Sequence, residues 1–159
     1  MKFKIGKYKI MADLTTTITE SVVLNGSLRG STNTLVTTGI VDVFERIVTC
    51  THSQDTIIAV FDAAPYSSPG AIDRDNAKYI RVTNLDDTTE LELAVVGVAT
   101  SYIVRLRAGA SHILFNGDDI IKGAGNTTIV FGVTDELANL EARPIGTADV
   151  QLGVFVGLV

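Results

Sequence analysis

At 159 residues, 46% hydrophobic and 19% charged, the chain carries enough apolar material for one core, which excludes a disordered tail and makes two full-sized domains implausible. A formal charge of −5 excludes a protein that grips nucleic acid by neutralising phosphates with clustered Lys and Arg. The lone Cys50 excludes an internal disulfide, and with only His52 and His112 beside it the chain lacks the ligand set of a zinc centre, so no cofactor or metal is expected.

The chain opens with Lys2, Lys4, Lys7 and Lys9 alternating with other residues, and no acidic residue precedes Asp13. Two readings stay open for residues 1–12: an edge strand guarded by lysines against unwanted pairing, or a basic arm that docks on an acidic neighbour through those four lysines. The segment lacks the continuous apolar core of a signal peptide, and no later run reaches the roughly 18 apolar residues of a spanning helix. Synthesis in a cytoplasm, with no membrane partner, is therefore expected.

No stretch shows a capped helical stripe, whereas β-branched and aromatic residues recur in short runs broken by Gly, Asn, Asp and Pro. The pattern predicts strands near 2–10, 14–24, 40–50, 56–62, 78–84, 89–96, 101–107, 111–115, 127–134 and 148–158. These make one all-β domain over 1–159, a mostly antiparallel β-sandwich of jelly-roll type. Asn25-Gly26 and Asn116-Gly117 supply turn residues tolerant of positive φ, and Pro69-Gly70 lies in a predicted loop over 63–76. Residues 25–39, rich in Gly, Ser, Thr and Asn, read as a strand-poor loop that orders against a neighbour.

Residues 79–85, 90–95 and 102–107 alternate strongly enough to predict a register for a central three-stranded meander over about 78–107. With Asp86-Asp87 at the first tip, Val82 faces Leu91, Ile80 faces Leu93 and Arg81 lies opposite Glu92. A second tip at Val98-Ala99 sets Leu91 against Leu106, Leu93 against Val104 and Val95 against Tyr102. It also brings Glu92 opposite Arg105 and Glu90 opposite Arg107. One face is then apolar and the other carries the row Arg81, Glu92, Arg105.

The C-terminal run from Val150 to Val159 alternates a Val/Leu face with a face of Gln151, Gly153, Phe155, Gly157 and Val159. It reads as a strand covered on both sides, either central in its sheet or buried in a subunit interface through Phe155, Gly157 and Val159. Two glycines on one face imply close approach of another backbone or a bulky side chain.

Reactive chemistry finds little support. Cys50 and His52 on one strand point the same way but stand roughly 6–7 Å apart, too far for a direct hydrogen bond. His52 and His112 lack the His-x-His spacing of a metal-dependent jelly-roll enzyme. Gly123-Ala124-Gly125 lacks the third glycine of a dinucleotide fingerprint. Asp73-Arg74-Asp75-Asn76 and Gly117-Asp118-Asp119 hold oxygen ligands suited to Ca²⁺ but match no EF-hand spacing, so solvated turns are the simpler reading. With no Trp and four Tyr, sugar-stacking aromatics are scarce. A glycan-binding domain would need exposed aromatics around Tyr66 or Phe115.

The segments Leu24-Asn25-Gly26, Arg29-Gly30-Ser31-Thr32-Asn33-Thr34 and Val43-Phe44-Glu45-Arg46-Ile47-Val48, the run from Asn76 to Thr88, and the run from Val104 to Ser111 together resemble small virion proteins of tailed phages, especially those of marine and cyanobacterial hosts. The resemblance spans most of the chain and transfers no active site. It implies a non-enzymatic β-sandwich subunit made in an infected bacterium and incorporated into the virion. Its expected role is a capsid decoration or cement protein, with a fibre, tail or head-tail adaptor component or a glycan-binding attachment domain as alternatives. Its expected partners are the major capsid protein, other virion proteins and further copies of itself, a trimer being favoured.

Overall fold

The computed structural model describes residues 10–117, 131 and 134–159. Its strands are β1 (Ala12–Thr19), β2 (Val22–Leu24), β3 (Ser27–Arg29), β4 (Thr32–Ile40), β5 (Asp42–Cys50), β6 (Thr56–Asp62), β7 (Ile72–Asp73), β8 (Ala77–Asn84), β9 (Leu91–Gly97), β10 (Ser101–Leu106), β11 (Ser111–Leu114), β12 (Leu137–Pro144) and β13 (Val150–Leu158). One 3₁₀ turn, Pro65–Ser67, accompanies them. The chain is thus all-β and mostly antiparallel, and among the described residues only β6 and β7 pair in parallel.

Two sheets enclose the core. One runs β10-β9-β12-β6-β7 and the other β11-β8-β13-β5. Their inward residues, among them Val82, Leu91, Leu93, Val95, Leu140, Val150 and Leu152, form one buried cluster. Each fully buried Val or Leu contributes about 1.5–3 kcal/mol by leaving water, so the alternation visible in the sequence is what drives the two layers together.

The strand pairing is nested. β5 pairs with β13, β6 with β12, β8 with β11 and β9 with β10. The two halves of the chain therefore run side by side like one long ribbon that turns back between β9 and β10. The ribbon folds across from sheet to sheet at matching corners on its two edges.

This nesting overturns half of the predicted meander. The β9–β10 hairpin has the expected register, with Leu91 facing Leu106, Leu93 facing Val104, Val95 facing Tyr102 and Glu92 facing Arg105. Leu93 is buried and Glu92 exposed, as the alternation requires. β8, however, does not pair with β9: it lies in the other sheet between β11 and β13, and Arg81 stands opposite Ile113 and Phe155, not Glu92. Asp86-Asp87 is a corner between sheets.

Asn84, the one buried polar side chain among the described residues, explains why. Its Nδ2 donates to the carbonyls of Thr89 at 2.8 Å and Arg107 at 3.1 Å, and its Oδ1 accepts from the Asp86 N–H at 3.0 Å. The Gly109 N–H donates to the Asp86 carbonyl at 3.1 Å. One amide thus ties together the corner leaving β8 and the corner entering β11. A buried Asn satisfied by backbone partners costs little, whereas its loss would leave carbonyls without donors.

Two further expectations need correction. Residues 25–39 are not strand-poor, because β3 and β4 occupy most of them: threonine is β-branched and suits an extended ribbon even where glycine and asparagine suggest a loop. The strand β12 was not expected at all. Its composition, Leu137-Ala138-Asn139-Leu140-Glu141-Ala142-Arg143-Pro144, favours helix, and register shifts on both sides break its alternation, yet it lies between β9 and β6 in the sheet centre. The lysine segment at 2–9 lies outside the described residues, as does the strand predicted at 127–134 apart from Phe131 and Thr134.

Candidate docking surfaces

β1 and β4 form a two-stranded ribbon that β2 and β3 continue in unchanged register, so that Leu14 faces Thr37, Ile18 faces Asn33, Val22 faces Arg29 and Leu24 faces Ser27. The tip is Asn25-Gly26, with φ of 50° and 77°. Positive φ at both central residues is the type I′ geometry that matches strand twist, and Asn-Gly is the sequence that adopts it most readily. At about 3.3 Å per residue, the eleven positions from Leu14 to Leu24 make an arm about 35 Å long.

Every residue from 17 to 36 is exposed. This includes Ile18, Val22, Val23, Leu24, Leu28, Leu35 and Val36, with Leu28 74% accessible. One arm face carries Leu14, Thr16, Ile18, Glu20, Val22 and Leu24, with Leu35 and Arg29 opposite Thr16 and Val22. The other carries a threonine ladder in which Thr17 bonds Thr34 at 3.3 Å and Thr19 bonds Thr32 at 3.2 Å through their hydroxyls. A free two-stranded ribbon is marginal in water, and apolar residues concentrated on such a projection mark an interaction surface.

The arm is rooted on the outer face of the four-stranded sheet. Leu14 and Ile40 approach Gly157 so closely that a Cβ there would lie 3.3 Å from each side chain. Four residues back along β13, Gly153 leaves a second notch, where a Cβ would meet Leu85 at 3.6 Å. A depression of about 320 Å³ opens over it, lined by Ile47 and Leu85 together with Glu45, Arg46, Arg81, Thr83 and Ser111. Between the two notches stands Phe155, with Tyr79 edge-on at 5.9 Å and the Arg81 guanidinium 5.6 Å from its ring centre.

The interface expected at Phe155, Gly157 and Val159 is thus partly occupied by the chain itself. Gly157 is buried beneath the arm root, Phe155 is half-buried, and the Val159 N–H donates to the Asn76 carbonyl at 3.0 Å. β13 is central in its sheet. The two glycines do admit bulky side chains, as their placement on one face implied.

The other outer face carries a row of charges beside the exposed Ile57 and Ile103. Glu92 lies between Arg105 on β10 and Arg143 on β12. Arg105 also pairs with Glu90 at 2.5 Å, and Arg143 with Asp55 at 3.3 Å. Glu90 thus reaches diagonally to Arg105, the ladder partner of Glu92. Glu92, Glu141 and Asp55 line a shallow depression of about 240 Å³ with Arg143 among them.

The candidate reactive groups are held apart or engaged elsewhere. Cys50 is fully buried, and burial pushes its thiol above the ordinary range. His52 instead meets Asp149, whose carboxylate accepts from the His52 backbone N–H at 2.8 Å and lies 2.7 Å from Nδ1. These contacts hold the Asp149 carboxyl below its usual range. His112 Nε2 lies 3.1 Å from the Tyr102 hydroxyl.

Asp73 is turned back on Asn76, while Arg74 pairs with Glu136 at 2.5 Å. Asp118, Asp119 and residues 123–125 lie outside the described residues. Among the described residues no group of three or more His, Cys, Asp or Glu is placed to hold a metal ion, and no helix is long and apolar enough to cross a membrane. Tyr66, on the 3₁₀ turn, is 92% accessible and Phe115 is 47% accessible.

Compared with protein-family models, curated proteins and solved structures, the chain matches none.

The arm was within reach of sequence reading, because Val22-Val23-Leu24 and Ser27-Leu28-Arg29 flank a two-residue Asn-Gly loop. What the sequence does not display is that nothing among the described residues covers it.

Proposed function

We propose that this chain is a non-enzymatic structural subunit of a tailed-phage virion, a capsid decoration or cement protein that works by burying surface against neighbouring proteins. The observation that carries this reading is the arm: residues 17–36 present seven large apolar side chains on a projecting ribbon, which serves docking better than folding. We read the nested strand pairing as a jelly roll, two antiparallel sheets packed face to face. The likeness of the segments named above to small phage virion proteins supports the same class. A specific interface buries about 1,200–2,000 Å² in total, so many copies on one shell add mechanical stability without chemistry.

The test is localisation. In purified particles, antibody labelling and a cryo-electron map are expected to place the chain in regular copies at junctions of the capsid lattice. A fibre, tail or adaptor position would replace the cement role while keeping the structural one, and absence from particles would end the reading. A second reading, glycan attachment, is favoured by the exposed Tyr66 alone. A glycan array with no hit disposes of it.

A further inference from the structure

We propose that the occupant of the depression over Gly153, on the outer face of the four-stranded sheet, is the arm of a second copy of this chain, whose Ile18, Val22 and Leu24 settle between Ile47 and Leu85. This rests on the reading of the arm as a docking element and names its partner. The first argument is continuity. At its root the arm already fills one glycine notch of β13, with Leu14 and Ile40 over Gly157, and the same arm face then runs on, exposed, through Ile18, Val22 and Leu24, with Glu20 and Arg29 as the charges on it. The same strand offers a second notch at Gly153, open and flanked by Ile47 and Leu85, which are 65% and 48% accessible. The chain's own arm is fixed at the first notch, so the second takes an arm from outside.

Charge and area agree with a like partner. Two copies each of net charge −5 repel, but between residues 12 and 40 the arm carries only Asp13, Glu20 and Arg29. It can approach an acidic copy at little electrostatic cost. The projecting part, about 25 Å long and about 10 Å wide, offers roughly 250 Å² per face, so reciprocal exchange buries about 1,000 Å² over two arms and two seats. That falls just short of the roughly 1,200–2,000 Å² of a stable interface and predicts weak, reversible self-association, not an obligate dimer.

Sedimentation velocity of the full chain across the micromolar to millimolar range tests this. The wild type is expected to associate with increasing concentration. An arm variant (Ile18→Thr, Val22→Thr, Leu24→Ser) and a seat variant (Ile47→Lys), each with an unchanged melting temperature, are expected to associate at least tenfold more weakly. Mixing the two is expected to restore part of the association, since one supplies an intact seat and the other an intact arm. Gly153→Ala, whose added methyl meets Leu85 at ordinary contact distance, gives a second seat variant for the case in which Ile47→Lys lowers the melting temperature.

A wild type that stays monomeric, association that both variants leave intact, or a mixture no stronger than its components would each overturn the proposal. A chain monomeric alone yet present on particles would sink the exchange and keep the virion reading. Self-association through the arm with no trace in particles would do the reverse.

Discussion

The Tyr102 hydroxyl and His112 Nε2 lie 3.1 Å apart, linking β10 and β11, the edge strands of the two sheets, at the same end of the sandwich. The rings also meet edge to face with centroids 6.0 Å apart. Burial raises the pKa of the tyrosine and lowers that of the histidine, so both groups favour their neutral forms and the contact is an ordinary hydrogen bond. Tyr102→Phe is expected to cost about 0.5–1.5 kcal/mol in chemical denaturation.

The same histidine sets a pH dependence. Its folded pKa lies below the ordinary value of 6.5, so its contribution is complete above that pH. As pH falls below it, the unfolded chain takes up the proton first and stability declines until the folded-state pKa is passed. Asp86, Asp135 and Asp149, held below 3.8 chiefly by backbone N–H donors, add a second decline below that value by the same sign of linkage. Melting curves from pH 8 to 3 should show both, and His112→Asn should remove the first alone.

Asn84 is expected to be the most sensitive polar position. Asn84→Leu leaves the Thr89 and Arg107 carbonyls without their donor and should destabilise by about 2–6 kcal/mol, at 1–3 for each buried group left unpaired. Asn84→Asp places a carboxylate against those oxygens. Its penalty should therefore shrink on mild acidification, opposite to the trend of the parent protein, and a urea series at two pH values would reveal the difference.

Leu93 and Glu92 are neighbours in sequence with opposite roles. Leu93 is completely buried, and Leu93→Ala should cost about 2–5 kcal/mol. Glu92 sits exposed between Arg105 and Arg143, where each cross-strand charge pair is worth about 0.2–1 kcal/mol. Glu92→Ala should cost about 1 kcal/mol or less, and that loss should fade in high salt, as urea titrations at two ionic strengths would register.

The arm should be dispensable for folding. Replacing residues 17–34 by Asn-Gly, which rejoins the facing pair Thr16 and Leu35, removes only exposed side chains. The melting temperature should move by less than about 4 °C, the size of a 1 kcal/mol change in a chain of this length. A larger fall would mean that the arm is part of the fold.

Local pattern carried the strands whose two faces differ. The alternation of Leu91, Leu93 and Val95 with Glu92 specified the β9–β10 register, because a one-residue slip would exchange core and solvent faces. The Val/Leu alternation from Val150 to Leu158 likewise marked a strand covered on both sides, and Asn25-Gly26 marked a tight turn. Such features depend on residues a few positions apart, and the side chains alone decide them.

Partner choice between strands was another matter. Residues 79–85 fit β9 as well as β11 by hydrophobic alternation; in the fold they pair with β11 and β13, and the buried Asn84 holds the two corners of that crossing together. β12 became a strand against its helical composition because the gap between β9 and β6 supplies backbone partners on both sides. The sequence by itself determined an all-β chain with one apolar core and the side-chain faces of its strongest strands. Tertiary structure alone decided which strands meet and that the arm stands uncovered, because pairing and exposure depend on segments far apart in the chain.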